Sequence, residues 1–262
     1  MRLRTPLLLS IALLSLAALA YEILLMRLFS IIQWHHFAYM IISLALLGYG
    51  ASGAIITLFR SRLERHFAPA FVAAAALFGV SAICSFLLVQ QLPFNAEEVL
   101  WDWRQPAWLL LIYLLLAIPF LFAASAIALA LGHYRDAIGR IYAFDLFGAG
   151  LGGLLVTLLL FNFMPLAALA WIGGIGLAAA LLAAAAMRSK AAWAVAGVAT
   201  LPAIAAIWTA LHSEAALSPY KELSQALRIP GTAVVAQRSS PLGLLDIVES
   251  RETPFRHAPG LS

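Results

Sequence analysis

Apolar residues in this sequence are gathered into runs of about 20, the length an α-helix needs to cross the hydrocarbon core of a membrane. The runs do not alternate with a period of two, so they are not barrel strands. Seven spans are expected: Leu7 to Ile32, Ala38 to Phe59, Ala70 to Leu92, Ala107 to Gly132, Ile141 to Phe161, Leu166 to Met187 and Ala191 to Leu211. The chain is 64% hydrophobic and 11% charged, against about 45–50% and about 25% for a soluble domain. The predicted fold is therefore an all-α polytopic membrane bundle over residues 1–211, with the lipid bilayer as its first partner.

Charge distribution gives an expected orientation. Arg2 and Arg4 precede the first span, Arg60, Arg62 and Arg65 follow the second, Arg135 and Arg140 the fourth, and Arg188 and Lys190 the sixth. The opposite loops hold only Arg104. The positive-inside bias then predicts a cytoplasmic N-terminus and a tail on the outside, in the inner membrane if the source is bacterial. The dispersed basic residues account for the net charge of +4 and give no reason to expect nucleic acid. One cysteine, Cys84, excludes an intrachain disulfide. The first 20 residues also fit a secretory signal, with Ala18-Leu19-Ala20 before Tyr21. Against cleavage there, the apolar run continues to Ile32, three turns that a discarded signal does not need.

Within the spans, ionisable residues are costly and mark candidate sites. Glu22 lies about 22 Å along the first span, and Arg27 lies near its outer boundary, where it can reach water. Five residues separate them, about 140° around a helix, so an ion pair within the span is not expected. Glu22 is expected to face the bundle, protonated or hydrogen-bonded to another helix. Asp145 is a second acid, near the start of the fifth span and close to Arg140; a boundary aspartate favoured by the helix dipole is an equally good account of it. His35, beside Trp34 and His36, reads better as an interfacial anchor than as a metal ligand, because no Cys, Asp or Glu nearby completes a set. The candidate polar site is thus Glu22, Arg27, His35 and Asp145, with no catalytic residue and no metal assigned.

"GYGASG" at 48–53 and "GAGLGG" at 148–153 match G-x-G-x-x-G literally. That motif needs a strand before it and a helix N-terminus after it, whereas these lie inside apolar helices. Gly48, Gly50, Gly53, Gly148, Gly150, Gly152 and Gly153 are instead expected to allow close helix packing. Leu46, Gly48, Gly50, Gly53, Thr57 and Leu58 recur one hundred residues later as Leu146, Gly148, Gly150, Gly153, Thr157 and Leu158. Either glycine-rich helices look alike by chance, or a three-helix unit is duplicated as a 3+3 inverted repeat of the kind found in transporters.

Residues 212–262 form a short soluble segment. "TAVVAQR" and "GLLDIVES" predict a β-hairpin turning at Pro241 and Gly243. One hairpin is too small to stand alone, so the segment reads as the opening of a larger domain. Three stretches, "YEILLMRLFSIIQWHHFAYMIISLALLGYGASG", "YAFDLFGAGLGG" and "SPYKELSQALRIPGTAVVAQRSSPLGLLDIVESRETPFRHAPGLS", resemble the N-terminal part of bacterial membrane-bound spermidine synthase-like proteins. The resemblance implies an aminopropyltransferase- or methyltransferase-like domain after the spans, binding S-adenosylmethionine or its decarboxylated form. That domain's glycine loop, ribose-binding acid and catalytic aspartate are expected beyond Ser262, so this chain alone is not expected to be catalytic. The expected function is a membrane module anchoring and feeding such a domain; the alternatives are a transporter-like bundle for a solute or proton, and a non-catalytic scaffold. A tail outside the cell fits poorly with a cytoplasmic cofactor, so either one run fails to span or the appended domain has left polyamine chemistry.

Overall fold

The computed structural model describes residues 4–33, 37–219 and 221–250. Among these residues seven helices are long and apolar enough to cross a membrane: α1 (Thr5–Ile32), α2 (Phe37–Leu58), then, after the short α3 (Arg60–Arg65), α4 (Phe67–Val89), α5 (Arg104–His133), α6 (Ile138–Asn162), α7 (Pro165–Met187) and α8 (Lys190–Leu211). The protein is a multi-span membrane bundle. α1 is continuous through Tyr21 and Glu22, with a proline in its first turn, where the missing N–H costs nothing. α7 stops at Arg188, whose φ of 50° takes the left-handed turn common at helix ends, and Ser189 then caps α8 by accepting from the Ala192 N–H. The short basic α3 and the small α9 (Glu222–Ala226) were not expected from the sequence.

The seven long helices are not equivalent. α1, α4, α5 and α7 are the inner helices, while α2, α6 and α8 present Leu46, Leu58, Leu146, Leu158 and Val198 outward, where lipid would lie. Two residue-level matches support the inverted repeat. Thr57 donates to the Gly53 carbonyl at 2.8 Å and Thr157 to that of Gly153 at 2.9 Å. Ile41, Gly48 and Ser52 are buried, as are Ile141, Gly148 and Gly152. Packing partners exchange in the same way. α2 lies on α5 as α6 lies on α1, α5 lies on α4 as α1 lies on α7, and α4 meets α7 across the middle. Buried share matches within each pair: 28% for both α2 and α6, 61% for both α4 and α7, and 61% and 56% for α1 and α5. α8 packs on the central α4–α7 pair and has no counterpart.

In lipid, apolar burial does not drive helices together, so close backbone approach and dispersion must. A Cβ at Gly148 would overlap the Ala12 backbone, one at Gly152 the Leu16 carbonyl, and one at Gly48 would sit 2.5 Å from Phe120 Cβ. The expectation for the other glycines is corrected: Gly50, Gly53 and Gly150 have nothing within 4 Å, and Gly153 meets only the Ile23 side chain at 3.9 Å. Those positions point away from the neighbouring helix. The central crossing uses glycines that the sequence comparison passed over. A Cβ at Gly79 would stand 2.7 Å from the Gly173 carbonyl, and one at Gly176 2.9 Å from Gly79 Cα.

The tail folds back on the bundle end away from the N-terminus. The Ser218 N–H donates to the Ile32 carbonyl at 3.1 Å, Lys221 Nζ to the Ser30 carbonyl at 3.2 Å, and the Ala216 N–H to Gln90 Oε1 at 2.8 Å. β1 (Thr232–Ser239) and β2 (Leu244–Ser250) then pair antiparallel, with a bulge at Val235. Their turn closes by the Ser240 N–H donating to the Gly243 carbonyl at 2.9 Å. As a test of the glycine contacts, Gly148→Leu is expected to lower unfolding free energy by about 1–3 kcal/mol by overpacking. Gly150→Leu should change it by less than about 0.5 kcal/mol, read by thermal denaturation in detergent.

Candidate functional site in the membrane

α1 packs most against α6 and α7 and less extensively against α2. The close approach at Gly148 and Gly152 brings Asp145, one turn earlier on α6, against Ser15 of α1. Ser15 Oγ makes a short hydrogen bond with Asp145 Oδ1 and also lies 3.0 Å from the Ile11 carbonyl. One hydroxyl proton serves one acceptor at a time. The contact thus joins α1 to α6 through the Ser15 hydroxyl, which has the Asp145 carboxyl and the Ile11 carbonyl as its two acceptors.

Glu22 stands seven residues after Ser15, on the same face of α1 and about 10 Å further along it. It is half-buried and forms no hydrogen bond or ion pair among the described residues. The expected bond to another helix is therefore not seen. Tyr49 of α2 lies within electrostatic reach of both Glu22 and Asp145. Tyr49 is 40% exposed, and its ring meets Phe120 edge-on at 6.3 Å between centroids. Sequence reasoning missed it. The available signal was an aromatic residue between two glycines, Gly48 and Gly50, which leave its ring uncrowded on the helix surface.

These polar residues occur where the two repeats differ. One hundred residues before Asp145 stands Ala45, and one hundred after Tyr49 stands Ala149. Arg27 does not join the acids. Its Nη1 donates to Ser30 Oγ at 3.3 Å, its Nε is buried without a partner among the described residues, and the Gly243 turn covers it. It lies beneath the hairpin turn, where the sequence suggested a side chain reaching freely to water. His35 lies outside the described residues. Of the candidate residues the structure joins Asp145 to Ser15 by a hydrogen bond, with Glu22 on the same face of α1 as Ser15 and Tyr49 within electrostatic reach of both acids.

Two carboxyl groups and a phenol, without a basic partner among the described residues, are rich in acceptors, suited to a proton or an ammonium group rather than an anion. No group of three metal-ligating side chains occurs among the described residues. Neither G-x-G-x-x-G stretch makes a nucleotide cradle, because both lie inside helices, in α2 and α6. The hairpin turn, Ser240 to Gly243, is not followed by a helix. The described residues thus do not fit S-adenosylmethionine. The chain matches no protein-family model, no curated protein and no solved structure.

The Ser15–Asp145 contact is testable by a double-mutant cycle. Ser15→Ala and Asp145→Ala together should show a coupling energy of about 0.5–2 kcal/mol, the range for hydrogen bonds between membrane helices. Reversible unfolding in mixed micelles measures it. Coupling near zero would mean that the two side chains do not hold each other.

Proposed function

We propose that this chain is the membrane module of a spermidine synthase-like protein, carrying a synthase-like segment at one end and offering its acidic seam to an amine-bearing solute. The observation that carries this proposal is that one helix serves both tasks. α1 bears Ser15 and Glu22 on the seam, and its last turn receives the tail through Ile32 and Ser30. A polyamine is a chain of ammonium groups separated by methylenes. Glu22 stands about 10 Å along α1 from Ser15, which holds Asp145 of α6, and Tyr49 lies within electrostatic reach of both acids; two separated acids with an aromatic ring nearby complement such a molecule.

Basic residues at the N-terminal end of the bundle support a cytoplasmic N-terminus in an inner membrane, with the tail on the opposite side. On this proposal the partner is a synthase-like domain, and adenosylmethionine or its decarboxylated form is that domain's cofactor, held by none of the residues described above. Amine supply from the membrane would also remove the need for the tail to share the cytoplasmic substrate pool. A transporter-like role is the second reading. The matched packing of the two three-helix units favours it, since solute sites in such folds lie where repeats meet.

The test is calorimetric titration of spermidine into the full chain in nanodiscs. Saturable binding is expected, weakened at least tenfold in the Glu22→Gln/Asp145→Asn variant, or about 1.4 kcal/mol. Binding that ignores both substitutions would refute the amine site. Uptake of labelled spermidine into proteoliposomes would favour the transporter-like role over delivery to a tethered domain.

A further inference from the structure

At the N-terminal end of the bundle, α2, α3 and α5 enclose a recess of about 230 Å³. Its mouth carries Arg60 and Arg135, and its inner wall includes the apolar side chains of Ile56 and Leu129. Glu64 stands between the two arginines, 2.9 Å from Arg60 Nε and 3.8 Å from Arg135 Nη2. We infer that this recess binds the phosphate of a lipid headgroup, with the start of the lipid's apolar part along the inner wall.

The charge arithmetic favours an anion. Two guanidinium groups face one carboxylate, so one positive charge is left over even with Glu64 ionised. The hydrogen bond from Arg60 holds the Glu64 carboxyl below the usual carboxylate range, which keeps it ionised at neutral pH. Arg135 Nε is engaged by the Gly132 carbonyl at 3.2 Å. Among the described residues, the remaining guanidinium nitrogens of Arg60 and Arg135 have no acceptor but Glu64. Each guanidinium offers five donors, and a phosphate presents the oxygen geometry that fills them in pairs. Two of the lining residues also pack together, the His133 ring stacking on Phe67 with centroids 4.0 Å apart and planes 5° from parallel.

Location chooses the source of the phosphate. The recess opens at the level where the spans end, on the bundle end that also carries Arg4, Arg62, Arg140 and Lys190. Basic pockets between spans at that depth meet lipid headgroups. A charged mouth above an apolar wall has the polarity of a glycerophospholipid and not of a free anion. Glu64 limits the affinity: it competes with an anionic lipid, and it would pair with the amine of a zwitterionic one.

Native mass spectrometry of the full chain, titrated with phosphatidylglycerol, tests the assignment. The wild type should retain one lipid at least tenfold more tightly than Arg60→Gln/Arg135→Gln. Glu64→Gln should retain it more tightly than the wild type. Arg62→Gln/Arg65→Gln, on the same short helix but outside the recess, should behave as the wild type, and a thermal melt of each variant verifies folding. Equal retention by the Arg60/Arg135 variant, or equal loss in the Arg62/Arg65 variant, would overturn the site. Displacement of the lipid by an equal concentration of glycerol 3-phosphate would overturn the lipid assignment and give the recess to a soluble phosphate.

Discussion

The backbone contact of α6 with α1 at Gly148 and Gly152 is the interaction on which the site depends. A lipid-embedded bundle has little hydrophobic drive to hold its helices together, so the absence of two side chains lets the helices meet closely enough for dispersion to act. With that approach made, Asp145 falls beside Ser15, and the cost of an acid within a span is reduced by a hydrogen bond. Glu22 receives no such bond among the described residues. Tyr49 lies within electrostatic reach of it and of Asp145, and on the proposed function its open acceptors receive the cation.

The pseudo-symmetric packing explains why the acids stand out. In both three-helix units the outer helix lies on an inner helix of the other unit, with its first glycine against that helix's backbone. Such an arrangement supplies the frame twice. The polar residues Asp145 and Tyr49 appear where the copies diverge, opposite Ala45 and Ala149. α8, which lacks a counterpart, covers the central α4–α7 crossing and leads the chain to the tail.

Much of the architecture was legible in the sequence because lipid permits so few backbone solutions: apolar length alone marked the seven spans and local turn chemistry the hairpin. What the sequence could not show was direction around each helix. Gly50 and Gly53 have the spacing of packing residues and pack against nothing, while Gly79, Gly173 and Gly176 lack an obvious motif and form the tightest central crossing. The candidate site was half legible. Glu22 and Asp145 stand out as charges in apolar runs, but Ser15 and Tyr49 join them only through the rotation of α1 and α2. Arg27 looked like part of the same anomaly, and it belongs to the junction with the tail.

The central claim is that the carboxyl groups of Glu22 and Asp145 receive an ammonium ligand within the bundle. Infrared difference spectroscopy of the full chain in lipid, recorded on adding spermidine, observes those groups directly. The account predicts a change in the carboxyl bands that shrinks in Glu22→Gln, shrinks in Asp145→Asn and vanishes when both are replaced. A spectrum with no carboxyl change, or one unaltered by the double substitution, would contradict it.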